Sequence, residues 1–134
     1  MTISISTQAL AGAIEEPECV VVDVREMAAF NGWTLDHEAR GGHLRGAVAF
    51  PLEWTAVVQG TALQRLLVSK GITPHRTVVV YDVLRDRSAA MAHRFRTLGY
   101  AKVWTYDAGV AAWAADERLP MAHLAHYEKL VHPA

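Results

Sequence analysis

A chain of 134 residues is long enough for one hydrophobic core, burying roughly two-thirds of its unfolded surface without disulfides or a structural metal. Its residues are 51% hydrophobic and 20% charged, which excludes disorder as the dominant state, and 13 Lys+Arg against 14 Asp+Glu leave a net charge of -1, which argues against nucleic-acid or membrane binding through bulk charge. The single cysteine, Cys19, excludes an intrachain disulfide and a multi-thiolate metal site, while ten arginines among the 13 cations leave room for local anion recognition.

The first residues, Met1 to Thr7, hold neither a basic stretch nor an apolar one, so no secretory signal is expected at this end; the chain as given favours a cytoplasmic location, with a periplasmic one open should further residues precede Met1. No apolar run approaches the ~20 residues of a membrane span. Ser6 or Thr7 is placed to cap a short helix through about Ile14, with Leu10, Ala11 and Ile14 on one side, and Glu15 to Glu18 end it as a polar turn around Pro17. Cys19 to Val24 is a continuous apolar run broken only by Asp23, as expected of a strand buried on both faces. Ala47 to Phe50, closed by Pro51, predicts a second strand. Thr77 to Tyr81 is the strongest strand signal, and Val103 to Tyr106 predicts a fourth. Helical spacing runs from Thr61 to Lys70 with Gly71 as C-cap, from Ser88 to Leu98 with Gly99 as the stop, and from Gly109 to Ala115. Strand and helix alternate from about residue 19. This predicts an α/β fold of three layers, a central, mostly parallel sheet with helices on both faces. The domain is expected over 1–120, with 121–134 as a tail or the start of an interdomain linker.

Ligands of such sheets bind where strands end and helices begin, because helix N-terminal amides point outward there. One place stands out. After Tyr81 come Asp82, Val83, Leu84, Arg85, Asp86 and Arg87, and Ser88 is expected to open the next helix. A short connection of this kind can turn successive amides onto one anion, and two arginines within six residues suit that use.

Several segments in order resemble the rhodanese-like domain. Val22-Asp23-Val24-Arg25-Glu26 is similar to that family's strand-end Asp-Val-Arg signature, and Gly42 to Leu52 resembles its Gly-His-Ile-x-Gly-Ala-x-x-x-Pro segment. Val79 to Tyr81, the following connection and Arg87-Ser88-Ala89 resemble its active-site strand, loop and helix. Leu98-Gly99-Tyr100-Ala101-Lys102-Val103 and Gly109 to Trp113 match its Leu-Gly-Tyr-x-x-Val and Gly-x-x-x-Trp landmarks, and the resemblance implies a three-layer α/β domain whose central, mostly parallel sheet has about five strands. A narrower resemblance, through Phe30 to Trp33, the insertion Thr34 to Gly41 and the tail His126 to Val131, points to the first domain of bacterial sulfurtransferases built from consecutive rhodanese domains. It implies a downstream rhodanese domain in the same polypeptide.

The resemblance implies sulfur transfer by a cysteine at the first loop position, activated by the loop amides and carried as a persulfide. Here that position is Asp82, and a carboxylate forms no persulfide. Arg87 lies five positions on, as in rhodaneses, whereas the related dual-specificity phosphatases use a loop one residue longer, where this chain has Ser88. The expectation is therefore a domain with no catalytic residue and no cofactor, probed at the degenerate position Asp82. Its carboxylate is expected to accept the converging amides or to pair with Arg87, filling the anion site from within. The alternative is a stand-alone module that binds a small anion or a protein through Asp82, Val83, Leu84, Arg85, Asp86, Arg87 and Ser88. A metal-assisted chemistry at Asp82 would need further carboxylates, of which Asp86 is the only nearby candidate.

The remaining polar residues read as structural. Cys19 begins the first strong strand, at the opposite end from the loop. Asp23 and Arg25 are expected to brace neighbouring loops, and His43 to pack in a Gly-rich turn. His123 and His126 share helical spacing without a third ligand, so no zinc site is expected. Arg94 and Arg96 add a basic side near the loop without interleaved aromatics, as a solvated helix face does. Trp33, Trp54, Trp104 and Trp113 are expected to be core or interdomain anchors, with Trp33 and Trp54 the interface candidates.

Overall fold

The computed structural model describes residues 3–32, 40–83 and 85–122. In chain order the elements are β1 (Ile3–Ser4), α1 (Thr7–Ala13), β2 (Cys19–Asp23), α2 (Met27–Asn31), β3 (His43–Leu44), β4 (Val48–Ala49), α3 (Trp54–Val57), α4 (Gly60–Ser69), β5 (Thr77–Tyr81), α5 (Asp86–Thr97), β6 (Val103–Tyr106), α6 (Gly109–Ala115) and β7 (Met121–Ala122). Five strands form one all-parallel sheet in the order β1-β6-β5-β2-β4, and β3 pairs antiparallel with β7 apart from it.

The valine runs explain the sheet. β2 and β5 are buried on both faces, so their residues alternate between two cores rather than between core and water. Val20, Val22, Val78, Val80 and Val103 face one core, closed by Leu63 and Leu67 of α4 and Met91, Ala92 and Phe95 of α5. Val21, Val79, Tyr81 and Tyr106 face the other, closed by Leu10 of α1 and Val110 and Trp113 of α6. Helices on both faces make the three layers. Ser6 caps α1 as its position suggests, its hydroxyl accepting from the Ala9 N–H at 3.1 Å.

The Arg40 guanidinium fastens the 40–44 segment to the second face. It donates to the carbonyls of Trp113, Ala114, Asp116 and Leu119 at 2.8–3.3 Å, satisfying the C-terminal end of α6. The Trp113 indole donates to the Pro120 carbonyl, and Met121 and Ala122 pair with Leu44 and His43, so the chain is still tied into the fold at the expected boundary of residue 120.

Two expectations are corrected. Helix α5 opens at Asp86 rather than Ser88, because Asp86 favours a first helical turn, where a carboxylate meets the positive end of the dipole. Arg94 and Arg96 lie in the last turn of α5, at the far end from the loop, and Arg96 donates to the Val103 carbonyl.

Candidate functional site

The register Asp23↔Tyr81↔Tyr106 brings the C-terminal ends of β2, β5 and β6 level. Asp82 follows directly on the central strand β5, and α5 begins four residues later. Asp82 is 7% exposed, and both of its carboxylate oxygens are hydrogen-bonded. One accepts the Val83 N–H at 2.6 Å and the other accepts the Arg87 N–H at 3.3 Å. A single side chain thus spans the amides at both ends of the connection.

The backbone around Asp82 is held from the opposite side. Its carbonyl accepts the Val110 N–H at 2.9 Å, joining the loop to the first turn of α6. Gly109, at φ +77°, lies so close under the connection that a Cβ there would overlap the Val83 carbonyl oxygen. Gly109 belongs to the site, and its signal in the sequence is a glycine at the start of helix α6, shortly after strand β6.

Burial is the leading influence on the Asp82 carboxyl and pushes it above the ordinary carboxylate range. The Val83 and Arg87 amides and the Arg87 charge pull it back down, and the Asp23 charge pushes it up. The Arg87 guanidinium is half-exposed and pairs with Glu53 at 3.5 Å, so it is the backbone of Arg87, rather than its side chain, that binds the carboxylate. Arg85 is exposed at the N-cap of α5 with φ -90°, and Ser88 is fully buried with its hydroxyl donating to the Arg85 carbonyl. Leu84 lies outside the described residues, as do Trp33, His123 and His126.

A cleft of about 360 Å³ opens beside the loop, lined by Arg25, Glu26, Ala29, Asp82, Val83, Asp86 and Arg87. Arg25, on one wall, belongs to a buried polar network. The Arg25 guanidinium binds the Asp23 carboxylate at 2.8 Å and the Gly42 carbonyl at 2.5 Å. Tyr81 donates its hydroxyl to Asp23 at 2.6 Å and accepts the Leu44 N–H at 3.1 Å. Asp23 and Arg25 therefore brace the 42–44 segment onto the sheet end. His43 binds the Phe30 carbonyl through Nδ1 and stacks on the Phe30 ring at 3.7 Å, which makes it a packing residue.

Cys19 pairs in register with Thr77 at the opposite end of the sheet, roughly 16 Å of strand away from Asp82. Burial, then the Glu16 charge, push its thiol up, opposite to what a nucleophile needs. Trp113 is fully buried, Trp104 is partly buried against the α1/α6 core, and Trp54 packs edge-on against Phe50. Among the described residues, no three His, Cys, Asp or Glu side chains gather as a metal site would require, and no helix is long and apolar enough to cross a membrane.

The sequence profile of the rhodanese-like domain matches residues 6–116. The chain is 33% identical over 102 residues to thiosulfate/3-mercaptopyruvate sulfurtransferase 2 of Arabidopsis thaliana, an alignment covering 63% of this chain and 30% of that protein. Among solved structures it superposes on EanB in complex with ergothioneine with a TM-score of 0.87 at 28% identity, covering 96% of this chain and 30% of that one. The anaerobic ergothioneine biosynthesis enzyme from Chlorobium limicola, in complex with trimethyl histidine, gives a TM-score of 0.86 at 28% identity over the same shares of the two chains. The chain thus spans about a third of the length of the relatives it matches.

Proposed function

The chain belongs to the rhodanese-like family, related to the sulfurtransferases, and from that premise we propose that it is a non-catalytic member in which Asp82 takes the place of the sulfur-carrying cysteine. The observation that carries this reading is the Asp82 carboxylate itself. It occupies the end of the central strand and accepts the amides of both Val83 and Arg87. A thiolate nucleophile needs such donors free, to stabilise its own charge and that of the departing oxyanion. A carboxylate spanning both consumes them, offers no soft atom and repels thiosulfate.

Within a longer protein the domain packs against a downstream rhodanese domain that carries the cysteine, in a thiosulfate or 3-mercaptopyruvate sulfurtransferase of bacterial type. The relatives, about three times as long as this chain, support that arrangement. The cleft beside Arg25 and Arg87 favours a second role for the same loop, as a module that binds a small anion.

The test is thiosulfate:cyanide and mercaptopyruvate:cyanide sulfurtransferase activity of the purified chain, with Asp82→Cys measured beside it. The native chain is expected to give no turnover above the uncatalysed rate. A gain in the variant identifies the nucleophile as the missing part. Turnover by the native chain overturns the reading and moves attention to Cys19 as sulfur carrier.

A further inference from the structure

The amides at the β5–α5 connection are filled by a group whose charge depends on pH. Asp82 is tethered to the amides it binds, so its effective concentration there exceeds that of any dissolved anion. An anion arriving from solution meets occupied donors and a like charge. Protonation of the carboxyl alters both conditions, because it removes the negative charge and leaves one oxygen a poor acceptor, which releases an amide.

The surroundings decide what can enter. The charges of Asp23, at the end of β2, and of Arg87 act on Asp82, and Arg25 just after β2, Glu26 ahead of α2, and Asp86 and Arg87 in the first turn of α5 line the cleft with it. Arg25 is 2% exposed and held by Asp23 and the Gly42 carbonyl. Arg87 differs: its side chain is 41% exposed, and its partner Glu53 is itself half-exposed at 3.5 Å, a contact of small worth. Once Asp82 is neutral, the net charge around it becomes less negative by one: Arg25 stays matched by Asp23, which leaves the half-exposed Arg87 against Glu26 and Asp86 in the cleft. His43 is turned to the Phe30 carbonyl, and Tyr81 stays protonated because burial and Asp23 hold it well above its usual range.

We propose that the cleft is a proton-gated oxyanion site, closed while Asp82 is ionised and open to one small oxyanion of the sulfate or thiosulfate class when that carboxyl carries a proton. The inference rests on the reading of Asp82 as internal occupant of the loop. Burial pushes the carboxyl upward, which moves the transition above the ordinary carboxylate range. Above the midpoint the protonated fraction falls tenfold per pH unit, so the apparent dissociation constant rises about tenfold per unit. Each anion bound then takes up about one proton.

The experiment titrates the whole chain with sulfate, which keeps both charges throughout, between about pH 5 and about pH 7.5 at constant ionic strength. Calorimetry in two buffers of different ionisation heat counts the protons. Asp82→Asn keeps the shape without the charge, and Asp82→Ser serves should the first variant fail to fold. The native chain is expected to weaken about tenfold per pH unit with about one proton taken up, and the neutral variants to bind at least about tenfold more tightly at neutral pH without proton uptake. A native affinity that is flat with pH, or variants that bind no tighter, overturns the proposal. Sulfate binding that no substitution at Asp82 changes is an adventitious ion only and overturns it as well. Sulfurtransferase turnover is read separately: a chain that is inactive but binds without proton linkage loses the gating alone, and one that turns over loses the non-catalytic reading.

Discussion

Gly109 offers the most direct test of how the loop is held. Alanine there places a Cβ that overlaps the Val83 carbonyl oxygen, stands 2.8 Å from the Val83 carbonyl carbon and lies 3.1 Å from the Asp82 carbonyl oxygen. Carbon–carbon contact is comfortable at roughly 3.5–4.0 Å, so one backbone segment must retreat by about 1 Å. The φ of +77° costs an L-residue about 1–2 kcal/mol, and the overpacking about 1–3 kcal/mol more. Retreat also strains the Val110 N–H to Asp82 carbonyl bond, whose loss costs about 1 kcal/mol. The sum is about 3–6 kcal/mol, a large share of the stability of a domain this size. Gly99 supplies the control, since its φ of +97° is equally left-handed but no atom lies within 4 Å of a Cβ built there. Gly99→Ala is expected to cost only the conformational part, about 1–2 kcal/mol. Urea denaturation of both variants separates the two effects. Equal losses would refute the argument that the Val83 carbonyl is seated on Gly109.

Three further outcomes are expected. Tyr81→Phe keeps the buried ring but strips Asp23 of a donor and the Leu44 N–H of its acceptor, costing about 2–4 kcal/mol in chemical denaturation. Arg40→Ala uncovers four carbonyls at the end of α6 and is expected to cost about 2–3 kcal/mol, with hydrogen exchange rising first in α6 and β7. Asp82 sets a pH dependence of the opposite sign from that of a salt-bridged carboxylate. Its folded pKa is raised, so the unfolded chain loses the proton first, and stability falls as pH rises from the ordinary carboxylate pKa through the raised folded one. Asp82→Asn is expected to remove that decline, as denaturation midpoints compared across mildly acidic pH will show; an identical decline in the variant would assign it to another group.

The parts legible in the sequence were those with enough residues to show a period. Cys19–Asp23, Thr77–Tyr81 and Val103–Tyr106 carry β-branched runs, and α4, α5 and α6 carry apolar spacing over two turns or more. The two-residue strands β1, β3 and β7 and the single-turn helix α3 have no period to detect. Their positions are set by tertiary contacts, such as the pairing of His43 with Ala122 across 79 residues. At the site, the strand end and the bracing role of Asp23 and Arg25 followed from residue types and order, and the resemblance singled out Asp82, whose carboxylate takes the amides rather than the Arg87 side chain. The contribution of Gly109 did not follow, because nothing local says that a residue 26 positions later will touch the Val83 carbonyl. The partner of Arg87 was also hidden: Glu53 lies in the turn before α3 and reaches α5 only through the fold.

The same geometry decides what a cysteine at position 82 would report. The connection is not suspended from the Asp82 side chain alone. Its backbone is fixed by the Val110 N–H, by the close seat of Val83 on Gly109 and by the Ala89 N–H and Ser88 hydroxyl bonds to the Arg85 carbonyl. Those contacts survive the substitution, so removing the carboxylate frees the Val83 and Arg87 amides without dismantling the turn that aims them. Among the described residues of the loop, Arg85 is a departure that bears on the path of the chain. It sits in right-handed backbone at φ -90°, whereas a glycine at this point, as in many active rhodaneses, gives access to a left-handed turn. An Asp82→Cys chain that folds yet stays inactive therefore points to the loop path at Arg85, and Asp82→Cys combined with Arg85→Gly distinguishes a missing nucleophile from a misdirected cradle.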